Sequence, residues 1–263
     1  MRFTTAVRCA VCAWAGIAGT TSRAPAQAAP VEREPRPLAV LVRNDVWYPT
    51  VDRPLFILYD DGRVIYPLRR DREYGVPITY QTARIGGSTS PERLLRALGI
   101  RPDFFQLRPS YNLILATDQP TVTLFVRQGD SVVTVSGGEE RPGKLSPPVP
   151  APFRRVFDRL VHFSAPDAEP WEPSQIQVVF WDFEHSLDPP LDWPRGWPGP
   201  GSPAAVRVDD PLVGEKWTVS LPYERAPRLD ALLEAQRETQ AILIGGRKWS
   251  VSYRWIFPGE DWW

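Results

Sequence analysis

The sequence predicts an α+β domain, with mostly antiparallel sheet built from hairpins and about three helices packed against it. Three observations lead there. Residues 55–68, LFILYDDGRVIYPL, set two apolar, β-branched and aromatic runs around Asp60-Asp61-Gly62-Arg63, a strong hairpin signal. Residues 241–257 repeat the arrangement across Gly245-Gly246. Between them, three stretches carry the apolar spacing of helices, with no regular strand–helix alternation to indicate parallel crossovers.

In chain order, residues 1–28 read as an export signal cleaved after Ala28, with Ala26 as the alternative. Arg2 and Arg8 precede a short apolar run over 9–19, and Ala26-Gln27-Ala28 supplies the small-x-small pattern that signal peptidase reads. The run is far shorter than the ~20 residues needed to cross a bilayer, and no later stretch qualifies. No cysteine follows the cleavage point, so a lipid anchor is not expected. Residues 29–37 form a polar, proline-rich flexible spacer, and 38–263 a single α+β domain, or alternatively two subdomains joined near 141–152.

Residues 38–42 predict a first buried strand, and 78–85 another by alternation. Ser90 before Pro91 marks a helix start, with Thr89 and Glu92 matching a capping box. Leu94, Leu95 and Leu98 are its buried stripe, and Gly99 ends it. Residues 112–117, 121–127 and 131–136 read as a three-strand meander, with Gly137-Gly138 as a turn. Five prolines between 142 and 152 argue against regular structure there. Phe153, Val156, Phe157, Leu160 and Val161 lie on one helical face, with His162 as a partly buried end residue. Residues 176–183 and 216–221 predict strands on either side of an irregular, proline-rich segment, 187–204. A last helix runs from Arg228 to about Thr239.

Composition excludes several classes. The only cysteines, Cys9 and Cys12, lie in the signal, which removes disulfides and thiol nucleophiles from the exported chain. The chain has 31 basic and 31 acidic residues. Loss of Arg2, Arg8 and Arg23 with the signal leaves 28 against 31, a net charge of −3 that argues against nucleic acid or anionic membrane as partners. No P-loop, G-x-S-x-G, H-E-x-x-H or dinucleotide fingerprint is present. With two histidines, His162 and His185, a His-rich metal site is impossible, and no cofactor or metal is expected.

Two stretches carry candidate chemistry. Asp182, Glu184 and His185 sit at a predicted strand end, with Asp182 and Glu184 on one face. Two carboxylates and an imidazole are the groups a glycoside hydrolase would use, and equally what a strand leaving the core exposes. The second stretch, PPLDWPRGWPGPGSP at 189–203, holds Trp193 and Trp197 on stiff proline-rich backbone. Such indoles serve either as a binding platform or as a lid folded onto the sheet.

The stretches LYDDGRVIY (58–66), SPERLLRALGI (90–100), TDQPTVTLFV (117–126) and GGRKWSVSYRWIFPGE (245–260) together resemble a group of secreted bacterial proteins. That group carries an LYxDGxVI hairpin, a TDxP turn and a WP-rich loop, and its members are generally called hypothetical. The resemblance implies an extracytoplasmic bacterial setting and one folded unit across both halves. It implies no activity and no catalytic residue. The sequence therefore points to a secreted or periplasmic, non-catalytic protein that binds an extracellular ligand or envelope component, with Trp193, Trp197, Asp182, Glu184 and His185 as candidate contacts. The alternatives are a hydrolase of an extracellular polymer using Asp182 and Glu184, and a structural envelope module.

Overall fold

The computed structural model describes residues 33–44, 53–68, 79–86, 90–111, 120–210, 214–237 and 239–260. The signal, most of the spacer, the strand expected at 112–117, Thr89 and the terminal Trp262-Trp263 lie outside these residues. By their contacts, residues 34–263 group into one compact unit. No helix among the described residues is long and apolar enough to cross a membrane.

The chain forms β1 (Pro37–Asn44), then the expected hairpin of β2 (Arg53–Tyr59) and β3 (Arg63–Pro67), then β4 (Tyr80–Arg84). Gly62 takes φ 80°, and its N–H donates to the Tyr59 carbonyl at 3.0 Å. The Asp61 carboxylate accepts the Arg63 N–H at 2.9 Å, closing the turn with its own side chain. Residues 34–37 of the predicted spacer are held in place: Arg36 N–H donates to Asp60, and Glu34 accepts the Gly259 N–H.

Helix α1 (Pro91–Ala97) starts at Ser90, as expected. The capping hydrogen bond does not form, however, because the Ser90 hydroxyl turns to the Glu92 carboxylate at 2.7 Å. That bond holds the Glu92 carboxyl below its ordinary pKa. At the other end, Gly99 adopts φ 81°. Its N–H reaches the Arg96 carbonyl, and that of Ile100 reaches Leu95, the paired bonds of a Schellman motif.

After a 3-10 turn over Pro102–Gln106 come β5 (Ser110–Tyr111), β6 (Thr121–Gln128) and β7 (Ser131–Arg141). Here the expected Gly137-Gly138 turn is corrected: both glycines lie inside β7, opposite Val122 and Thr121. A Cβ on Gly137 would stand 2.7 Å from the Phe153 ring, so glycine lets a helix side chain press onto the strand. The proline-rich stretch is also more regular than expected. β7 turns through Gly143 into β8 (Lys144–Leu145), and Pro152 sits in the first turn of α2 (Ala151–Val161), where its missing N–H costs nothing. Buried Glu139 braces that turn, accepting the Gly143 N–H at 2.6 Å and pairing with Arg43 Nε at 2.6 Å. All five predicted α2 core residues are buried; His162 caps the helix and is exposed, not partly buried.

The first sheet closes with β9 (Glu169–Trp171), an edge strand that Pro170 hid from sequence reading. The chain then enters the second sheet through β10 (Gln175–Asp182). There follow β11 (Leu191–Asp192), β12 (Ala205–Asp210), β13 (Gly214–Pro222), α3 (Ala226–Ala235), β14 (Ile242–Ile244) and β15 (Arg247–Trp255). Gly245 and Gly246, at φ 59° and 81°, make the expected two-residue hairpin turn. Helix α3 ends four residues earlier than predicted. Thr239 and Gln240 are drawn to the loop after β10, where the Thr239 carbonyl accepts from Ser186 and Gln240 donates to the Pro189 carbonyl.

Among the described residues the strand orders are β5-β7-β6-β1-β2-β3-β4-β9, with β8 on β7, and β11-β14-β15-β10-β13-β12. The α+β class holds, but the sheets are mixed and not mostly antiparallel: β5 runs parallel to β7, and β11 to β14. Both parallel pairs are two residues long and are made by returning loops, which carry no strand-length pattern to read. In the first sheet, Leu41, Phe56, Leu58 and Leu124 pack under α1 and α2, while Val40, Val42, Ile57, Tyr59 and Ile65 form a second cluster on the opposite face. In the second sheet, Ile176, Val178, Phe180, Val219 and Leu221 pack under α3 and the loop after β11.

Candidate functional site

The end of β10 does bring Asp182 and Glu184 together, but around a cation. Asp182 Oδ1 lies 3.5 Å from one guanidinium nitrogen of Arg247, and Glu184 Oε1 lies 3.8 Å from another. Glu215, from β13, approaches the same group at 3.9 Å. The guanidinium also sits 4.6 Å from the centre of the Trp249 ring. Glu184 further accepts the Lys248 N–H at 3.0 Å, and Lys248 Nζ donates to the Ser186 carbonyl at 2.6 Å. The acids are therefore spent on tying the β10 end to the β14–β15 hairpin. They are about half exposed, where such pairs stabilise by roughly 0.2–1 kcal/mol.

β10 ends at Asp182, so the strand alternation expected to align Asp182 with Glu184 stops there. His185 is exposed in the turn closed by Ser186 N–H donating to the Phe183 carbonyl, its ring edge-on to Phe183 at 4.7 Å. Hydrolysis of a glycosidic bond needs two carboxyl groups facing one substrate across a gap. Here both face one arginine. Among the described residues no group of His, Cys, Asp and Glu could hold a metal ion.

The Trp/Pro loop is built from two successive turns. Trp197 N–H donates to the Pro194 carbonyl with Gly196 at φ 80°, and Ser202 N–H donates to the Gly199 carbonyl with Gly201 at φ 78°. In each, glycine occupies the third position, where a left-handed backbone is required. The loop is stitched to the sheet edge by β11 and by Trp193 N–H donating to the Leu243 carbonyl at 3.3 Å. Gly199 fits under Ile244, whose Cγ2 would be 2.8 Å from an added Cβ.

Both indoles fold back onto the sheet and are half-buried. Trp193 meets buried Phe180 edge-to-face at 5.3 Å, and Trp197 meets Trp193 in the same way at 5.5 Å. Trp197 is then approached by two guanidiniums from the start of α3: Arg225 lies 5.3 Å and Arg228 5.5 Å from its ring centre. The loop is thus a lid folded onto the sheet, with two arginines over its outer ring. Arg225 and Arg228 were not among the predicted contacts. Their spacing of three on a predicted helix is visible in the sequence, but their indole partner lies about thirty residues away.

A further aromatic group escaped sequence reading. Tyr80 and Trp171 of the first sheet pack with Trp255 and with Phe257 beyond it. Ring centres are 5.0–6.2 Å apart, and Tyr223 adds an edge contact to Trp255. The Tyr253 hydroxyl donates to Asp230 at 2.6 Å, and burial together with that bond pushes its pKa up. These rings pack against one another between strands of the two sheets.

No family model matches the chain, and no curated protein or solved structure matches it either.

Proposed function

We propose that this is a secreted or periplasmic, non-catalytic binding protein, and that the lid over its second sheet is the surface that meets an extracellular ligand or envelope component. The observation that carries this reading is the stack Phe180–Trp193–Trp197 with two arginines on its outer ring. A connector needs no such construction. Its aromatic layers fix the arginine heads in place before any partner arrives, so little side-chain entropy remains to be lost on binding. The export signal read from residues 1–28 supplies the location. The hydrolase alternative is disfavoured because Arg247 engages both candidate acids, Asp182 and Glu184.

Co-sedimentation of the purified exported chain with isolated envelope material and insoluble polysaccharides tests this. The wild type is expected to sediment, and a Trp193→Ala/Trp197→Ala variant that remains folded by circular dichroism is expected to stay in the supernatant. Equal sedimentation of the two, or release of reducing sugar by the wild type that Glu184→Gln abolishes, would overturn the reading.

A further inference from the structure

We infer that Arg225 and Arg228, held on the Trp197 indole, form with Arg195 of the same turn as that indole a recognition site for the oxyanion groups of an acidic polysaccharide, carboxylated or sulfated. This rests on the binding role proposed for the lid and names the ligand class.

The argument begins with how these side chains are held. Helix α3 is pinned to the second sheet by buried Ala226 and Leu229. Arg225 and Arg228 are one turn apart at its start, so they emerge on one side. A guanidinium lying against an aromatic ring keeps its N–H donors in its own plane, pointing past the ring edge. Trp197 supplies that ring and is itself fixed by the Pro194 turn and by Trp193. Arg195, at the tip of the same turn, is exposed.

Next comes what these arginines lack. Arg247 has three carboxylates, Arg155 has Asp103, and Arg254 has Glu260. Among the described residues Arg195, Arg225 and Arg228 have no ion-pair partner. Of the acids on the same elements, Asp230 is occupied by the Tyr253 hydroxyl, and Glu224, Glu234 and Asp192 are exposed. Two like charges one turn apart repel, and an oxyanion shared between them removes that repulsion while accepting paired N–H bonds.

The surface is open, so a single small anion would bind weakly. A polymer that repeats the anion engages Arg225, Arg228 and Arg195 together and gains from multivalency. A single-stranded nucleic acid is the other polymer of this charge, but it needs free aromatic faces on which bases stack. Here the Trp197 ring is already occupied by two guanidiniums and the Trp193 ring.

The test is titration calorimetry of the full exported chain with polygalacturonate, dextran sulfate, neutral dextran, inorganic sulfate and oligo(dT). One or both acidic polysaccharides are expected to bind and to weaken with added salt, with neutral dextran and inorganic sulfate silent. Arg225→Gln/Arg228→Gln should lower affinity about tenfold or more, with the melting temperature within about 2 °C of wild type. Lysine at both positions should restore only part, since lysine offers no planar fork. Arg93→Gln/Arg96→Gln, the same spacing on α1 without an indole, should bind as wild type. Unchanged binding by the Arg225/Arg228 variant, equal loss in the Arg93/Arg96 variant, or tighter binding of oligo(dT) overturns the inference. Binding of neutral dextran that Trp197→Leu abolishes and the arginine variant keeps would overturn the anionic site and leave the lid as a binding surface. No binding to any polysaccharide here, together with equal sedimentation above, removes both.

Discussion

In the first sheet, successive residues of β1 and β2 are buried on both faces: Leu41 and Phe56 under the helices, Val40 and Ile57 on the reverse. In the second sheet, β10 buries Ile176, Val178 and Phe180 on one face; on the other, Val179 is buried beside Thr218, but Gln175, Gln177 and, on β15, Ser250, Ser252 and Arg254 make that face more polar. The covers differ as well. Helix α2 buries five apolar side chains, whereas α3 buries only Ala226 and Leu229 and shares its sheet with the half-buried Trp/Pro lid. The central strands of the first sheet are covered on both faces, whereas the loop that covers the second sheet carries on its outer side arginines without an ion-pair partner among the described residues.

The sharpest way to break this comparison is to truncate equivalent aromatics on the two sides. Phe153→Ala removes a fully buried ring lying on Gly137 and should cost about 3–5 kcal/mol in urea unfolding. Trp193→Ala, half-buried against Phe180, should cost about 2 kcal/mol, less than a core truncation because part of that ring already meets water. Equal losses would mean that the lid is core.

The two hairpins offer a finer comparison. Gly62→Val and Gly246→Val both force a β-branched residue into φ near 80°, and each should cost about 1–3 kcal/mol in thermal melts. Open space around Gly246 isolates the backbone contribution in the second hairpin. A Gly246→Val melt matching wild type would show that this turn relaxes.

Smaller still is Arg247→Ala, expected to cost about 1 kcal/mol or less, because its three carboxylates are exposed enough for water to screen them. A loss of several kcal/mol would show that the latch is part of the second core. Last, Ser90→Ala should raise the Glu92 carboxyl toward its ordinary value, visible in a carboxyl NMR titration. The sign follows from linkage. A depressed folded pKa contributes stability above the ordinary value, and that contribution is lost as pH falls through the folded one. Ser90→Ala should therefore flatten the acid side of the stability profile; an unmoved Glu92 titration would show that the hydroxyl is not its main support.

Local signals were enough for much of the architecture. Asp61-Gly62 and Gly245-Gly246 specify their turns through backbone freedom and a side chain two residues away. Leu94, Leu95 and Leu98 before Gly99, and Phe153 through Val161, write a helical face within a dozen residues. Those elements were legible because their causes lie inside them. Candidate contacts were legible only as residue types: Trp193 and Trp197 stood out, and so did Asp182, Glu184 and His185. What surrounds them was settled by pairing across long stretches of chain. Gly137 sits in a strand because Phe153 lands on it, and α3 stops at Ala235 because Thr239 and Gln240 bond to residues 186–189. Arg247 gathers acids from β13 and from the end of β10, turning a possible acid pair into a latch. Arg225 and Arg228 find an indole in a loop that precedes them by two strands. No periodicity encodes such meetings, because each depends on the register of strands and on the shape of the surface they jointly make.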